Sequence, residues 1–183
     1  MDIKKTANLL INFTFKRLAE IFGITVFASG VLLLLALLSY SPEDPNFIFP
    51  TNTNIKNILG FQGSFISDLF FQSIGLISYL FSITLIITGI NIFRLKEFFL
   101  IIENIFFAII YSIFGSVFLS HFFSNAFTLY INGNGGFVGN YLNQSFLNSI
   151  IIANETISFY FLIIIGILLF LLSINFRPFK FYL

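Results

Sequence analysis

The chain has 183 residues, of which 57% are hydrophobic and only 9% charged, and its formal net charge is +1. Soluble domains carry about 25% charged residues, so this composition excludes one and points to lipid, while the near-zero charge gives no bulk electrostatic basis for binding nucleic acid. With no cysteine and a single histidine, the sequence offers no material for disulfides, thiolate chemistry or a structural zinc site.

Residues 1–20 form a short basic segment holding Lys4, Lys5, Lys16 and Arg17. After Glu20 comes a charge-free apolar run, the first of four that reach the roughly 20 residues a helix needs to cross a bilayer. It is read as a span over about 21–40. Ser39 and Ser41 have the spacing of a signal-peptidase site, but Pro42 would follow the cut and the apolar run is too long, so an uncleaved anchor is expected. The span stops in "SYSPEDPNF", where Pro42 and Pro45 end the helix and force a turn. A polar, Asn-rich stretch follows, Asn46 to Asn57. Gly60 and Gly63 then punctuate the backbone, Ser64 or Ser67 is placed to cap a helix, and Asp68 falls in its first turn. The second span is predicted over 69–93, a tight turn over 94–98, and the third span over 99–120 with Glu103 at headgroup level.

The third connection runs from His121 to Glu155. His121, beside Phe122 and Phe123, is read as an interfacial residue. Val138, Tyr141, Leu142, Phe146 and Ile150 share one helical arc opposite Asn140, Asn143, Gln144 and Asn148, which predicts a short amphipathic helix lying on the membrane or packing down on the bundle. The fourth span covers 156–176, and 177–183 begin a tail or linker. The expected fold class is therefore an all-α integral membrane protein with four transmembrane helices.

Eight of the nine Lys and Arg residues lie before the first span, in the turn after the second, or in the tail; only Lys56 lies in the other two connections. By the positive-inside rule both termini are expected in the cytoplasm and the two long connections outside. Helices gain no hydrophobic force from meeting in lipid, so small residues mark contact faces. Gly75, Ser78, Ser82 and Gly89 form one such stripe, and Ala108, Ser112, Ser116 and Ser120 another; the two are expected to face each other or a neighbouring subunit. Asn91 is expected to reach the headgroups. No charge lies deep in a span, which weighs against a transporter or channel, and the acids Glu20, Asp68, Glu103 and Glu155 fall on different faces without forming a catalytic pair.

Taken together, Ser39, Pro42, Asp44, Pro45, then Asn57, Gly60, Gly63, Asp68, Phe71 and Gly75, in that order and spacing, resemble the N-terminal four-span membrane domain of the FtsK/SpoIIIE family of bacterial DNA translocases. A second match is "GGFVGNYL", with Gly135, Gly136, Gly139 and Leu142. The resemblance covers about residues 15–176. It implies a membrane-anchoring and interaction module at the division septum of the cytoplasmic (inner) membrane, touching divisome proteins and tethering an ATPase motor, with a homo-oligomer, hexameric in full-length relatives, as a further implication. That motor would need a phosphate-binding G-x-x-x-x-G-K-[ST] loop, and none exists here; the glycines at 133–139 lack the following lysine. ATP, Mg and DNA handling are accordingly expected only of a motor domain, and the chain is expected to be a fragment or a short form with no enzymatic activity, cofactor or metal of its own. The alternative is a small four-helix transporter or channel subunit, which requires a polar line through the bilayer.

Overall fold

The computed structural model describes residues 3–45, 54–124 and 132–176, with side chains from Asn8 onward. The expected tail at 177–183, the Lys4 and Lys5 side chains, and the loop segments 46–53 and 125–131 lie outside the described residues. Among those described, regular structure is entirely helical: α1 (Ile3–Leu38), α2 (Gly60–Ile74), a 3-10 turn (Gly75–Ile77), α3 (Ser78–Leu95), α4 (Leu100–Phe122), α5 (Gly136–Asn143), α6 (Phe146–Ala153) and α7 (Glu155–Ser173). Four stretches, Asn8–Leu38, Gly60–Leu95, Leu100–Phe122 and Glu155–Ser173, are long and apolar enough to cross a membrane. Lipid cannot satisfy an open backbone, so charge-free runs of this length have the helix as their one self-sufficient form.

The 36 residues of α1 carry the basic segment and the apolar run on one helix, about 54 Å long against a hydrocarbon core of about 30 Å. Near its middle Glu20 takes an ion pair from Arg17 at 2.6 Å and one from Lys96 at 2.9 Å. Lys96 closes α3 in the left-handed conformation, φ 61°, so the tight turn between α3 and α4 is tied to α1.

The second span differs from the single helix expected over 69–93. Helix begins at Gly60 and breaks at Gly75, whose φ of +64° lies outside the range of a right-handed helix. Hydropathy runs through the break unchanged, which is why the sequence hides it. The consequence is a 15-residue helix on the loop side and an 18-residue α3, about 27 Å long, that alone approaches the bilayer's thickness.

The most extensive helix contact is α1 on α3, and it is made close by glycines. A methyl group on Gly23 would stand 2.6 Å from the Phe93 amide nitrogen, on Gly30 2.7 Å from that of Ile86, and on Gly89 2.7 Å from the Gly23 carbonyl oxygen. Only glycine lets these backbones touch. Gly89 therefore faces α1, and the expected apposition of its stripe with that of α4 does not hold there. Apolar clusters fill the remaining space: Val26, Ile92 and Leu100 in one, Leu33, Leu37 and Phe71 in another, Val117, Ile151 and Leu162 in a third. Helix α4 leaves Ile102, Phe106 and Ile109 exposed, and α7 leaves Ile157, Phe161, Ile164 and Leu168 exposed, as lipid-facing flanks require.

The third connection holds two short helices where one was expected. Ser145 separates them: its Oγ accepts from the Leu147 amide and starts α6. Of the two expected placements the bundle side is seen: Gly136 and Gly139 of α5 are buried against it, while Phe137 and Tyr141 of α5 and Phe146 and Ile150 of α6 are exposed.

Candidate functional site: a loop-side cap

The motif residues of the first connection converge although up to 32 positions separate them. Asp44 is 3% exposed, and its carboxylate grips the returning chain by two main-chain hydrogen bonds, from Lys56 N to Oδ1 and from Asn57 N to Oδ2, each 2.8 Å. Pro42 and Pro45 bracket it: the backbone they bend lets the Asp44 amide reach the Ser41 carbonyl at 3.1 Å and leaves the Pro45 carbonyl to accept from Ser64 Oγ at 2.9 Å. Asn57 sends Nδ2 to the Ala36 carbonyl in the last turn of α1, 2.9 Å away, and takes the Leu59 amide on Oδ1. Ser39 Oγ donates to Leu35 and accepts from the Ile58 amide. The open end of α1 is thereby closed by the Ser39 and Asn57 side chains, as buried helix termini demand, whereas α2 starts without a side-chain cap: Ser64 and Ser67, expected as caps, lie inside the helix and donate to the Pro45 and Ser64 carbonyls. Gly63 packs directly on Asn57, with a methyl there only 2.6 Å from Leu59 Cβ. Gly60, φ +67°, supplies the turn into α2.

Asp68 sits one level further along. Its Oδ1 accepts from Tyr40 Oη at 3.1 Å and from Gln72 Nε2 at 3.4 Å. Burial, with the neighbouring Asp68 carboxylate, pushes the Tyr40 phenol far above its ordinary range, so it remains a donor throughout the physiological span. The Tyr40 ring meets Phe71 edge-on at 4.9 Å, and Phe71 meets Tyr79 at 5.5 Å.

A second cluster forms at the Gly75 break. The Leu76 amide, freed there from helical bonding, donates to the Asn134 carbonyl at 3.0 Å. Gly75 lies on Asn134 and Gly135, and a methyl on Gly136 would meet the Ile74 amide nitrogen at 2.7 Å. Gly135 and Gly139 lie on Ser116 of α4, and Ser116 Oγ donates to the Ile74 carbonyl at 3.0 Å. The G-G-x-x-G element thus docks the third connection on the broken helix, with no role left for it as a phosphate cradle. Ser120 and Asn140 join at 2.9 Å, and His121 lies 3.2 Å from Asn143, which binds α5 to the end of α4.

Of the small-residue stripes, Ser78, Ser82, Ala108, Ser112 and Ser116 are buried, but the hydrogen bonds between α3 and α4 come from residues the sequence reading passed over. Thr84 Oγ1 lies 2.9 Å from Tyr111 Oη and 3.2 Å from Ser173 Oγ of α7. Asn104 Nδ2 donates to Thr88 Oγ1 at 2.8 Å, and Asn175 Nδ2 to Asn104 Oδ1 at 2.6 Å. Asn91 does not reach for headgroups: it donates to the Ile174 carbonyl at 3.1 Å and closes the end of α7. The signal was the four-residue spacing of Thr84 and Thr88 with Asn104 and Tyr111 opposite, polar groups that lipid would not tolerate unpaired.

What fold and cap define is a four-span helical membrane domain whose distinctive residues are spent on holding two long connections against one end of the bundle. Residues 15–176 match the model described as the 4TM region of DNA translocase FtsK/SpoIIIE, and the chain belongs to that family. The DNA translocase FtsK of Rhizobium meliloti is 28% identical over 78 residues, 43% of this chain and 9% of that protein. Its namesake in Pseudomonas putida is 34% identical over 79 residues, 43% of this chain and 10% of that protein. That of Caulobacter vibrioides is 36% identical over 62 residues, 34% of this chain and 8% of that protein. The match covers about a tenth of the length of these relatives. No solved structure matches the chain.

Proposed function

We propose that this domain anchors a DNA translocase motor in the inner membrane at the division septum and offers its loop-side face to other division proteins, with both termini and the α3–α4 turn in the cytoplasm. The observation that carries this reading is the cap itself. Asp44, Asn57, Gly63, Gly75 and Gly136 tie the described parts of the two long connections to the end of the bundle opposite the basic turn at Arg94 and Lys96. A lipid tether alone would need no such fastening. The seam of Thr84, Thr88, Asn104, Tyr111, Ser173 and Asn175 is uncharged and internally hydrogen-bonded, which is how helices are joined in lipid and not how a solute path is lined.

The test is a set of full-length fusions. Reporters active only outside the cytoplasm, inserted in segments 46–53 and 125–131, should be active, and one in the turn at Lys96 inactive. A fluorescent fusion should concentrate at midcell in dividing cells. The reverse reporter pattern overturns the orientation, and even fluorescence around the envelope overturns the septal anchor.

A further inference from the structure

Beneath α2 the bundle has a lateral groove of about 430 Å³, walled by Leu69, Phe70 and Ile74 of α2, Phe81 of α3, Ile109 and Ile113 of α4, and Val138 of α5. Apart from Val138, its walls are contributed by stretches long and apolar enough to lie in the bilayer, and the exposed Leu69, Ile109 and Ile113 place its opening on the lipid-facing surface. Ser112, 4% exposed, lines the groove, and its buried Oγ has no hydrogen-bond partner among the described residues. Through the shared residues Leu69 and Ser73 the groove continues toward the loops into a second hollow of about 280 Å³. That hollow is of different chemistry, for Asp68, Gln72 and Asn132 line it together with the rings of Phe65 and Phe137.

The two hollows, both with largely apolar walls, adjoin at Leu69 and Ser73, and the second adds the polar groups of Asp68, Gln72 and Asn132. This is the profile of a single phospholipid standing in its leaflet. The polar end selects the headgroup. Asp68 brings a carboxylate to the hollow, taking hydrogen bonds from Tyr40 and Gln72 on Oδ1, and a carboxylate beside the Phe137 ring suits an ammonium. Neither long connection contains Lys or Arg except Lys56, which is paired with Glu43 outside the hollow, so nothing there would hold the extra negative charge of an anionic lipid. We infer that the α2–α4 groove and the Asp68 hollow together bind one amine-headed phospholipid, of the phosphatidylethanolamine type, on the side of the two long connections.

The domain, purified in mild detergent, is offered equal amounts of phosphatidylethanolamine and phosphatidylglycerol, and the retained lipid is counted by native mass spectrometry. The expected result is one retained lipid with at least a fivefold preference for the ethanolamine headgroup. Asp68→Asn keeps the acceptor for Tyr40 but removes the charge, and should abolish the preference without abolishing retention. Val138→Phe, which fills the apolar end, should lower retention of both lipids at least tenfold. Melting curves identify variants that have lost the fold; if Asp68→Asn is one, Phe137→Leu, which removes the ring beside the carboxylate, takes its place and should lower the preference at least twofold. Equal retention of the two lipids by the unaltered protein, a preference for the anionic lipid, or an unchanged preference in the hollow variant overturns the inference. So does disulfide cross-linking of Ile113→Cys between two copies in ethanolamine-rich vesicles, since the groove would then be a contact between chains.

Discussion

Replacing Asp44 with alanine removes both acceptors of the first connection at once. The Asn57 amide is buried, and its lost bond to a charged oxygen is worth about 1.5–3 kcal/mol. The Lys56 amide is in an exposed residue, where water can replace the carboxylate, so its loss adds about 0.5–1 kcal/mol. The expected destabilisation of Asp44→Ala is therefore about 2–4 kcal/mol. Asp44→Asn keeps one acceptor oxygen and should lose about half of that. Lys56→Ala is the control, because its ion pair with Glu43 is solvent-exposed and should be worth less than about 0.5 kcal/mol. Equilibrium unfolding in mixed detergent micelles, followed by circular dichroism, measures all three. If Asp44→Ala unfolds with the same midpoint as Lys56→Ala, the carboxylate does not organise the connection. Should it then also lose septal localisation, Asp44 belongs to a partner surface instead.

The absence of cysteine makes the chain a clean background for cross-linking: a Val26→Cys, Ile92→Cys pair should join α1 to α3 readily in membranes, and adding Gly89→Leu should cut the yield at least tenfold. Asn104→Leu breaks the bonds to Thr88 and Asn175 and should cost about 1–2 kcal/mol in the same unfolding assay, roughly twice the effect of Asn175→Ala, which breaks one. Gly75→Ala meets both a positive φ and the Asn134 main chain, and should abolish the monodisperse peak in size-exclusion chromatography, whereas Gly166→Ala, with open space around it, should elute unchanged.

Four spans were legible because charge is what lipid excludes, and Glu20, Asp68, Arg94, Lys96, Glu103 and Glu155 stand at the ends of the apolar runs. The break at Gly75 was not legible, since Ile74, Leu76 and Ile77 are as apolar as any span interior and the bend is held by distant residues, Ser116, Asn134 and Gly136. Gly89 was recognisable as a contact residue, but a glycine carries no direction, and whether it meets α1 or α4 is decided by the crossing of whole helices. The motif residues were readable as an ordered set. Their convergence was not, because the bond from the Asn57 amide to Asp44 joins residues 13 positions apart with no pattern in the sequence to announce it. Thr84, Thr88 and Asn104 went unremarked for a related reason: uncharged polar residues in a span look tolerable singly, and their meaning appears only as pairs.

The Gly75 junction also sets an order of events during synthesis. Its Leu76 amide waits for the Asn134 carbonyl, 58 positions further along the chain. At about 5–20 residues per second, the ribosome needs about 3–12 s to produce that partner. Until then this bond cannot form, so a junction in the first half of the domain is completed only by residues of its second half.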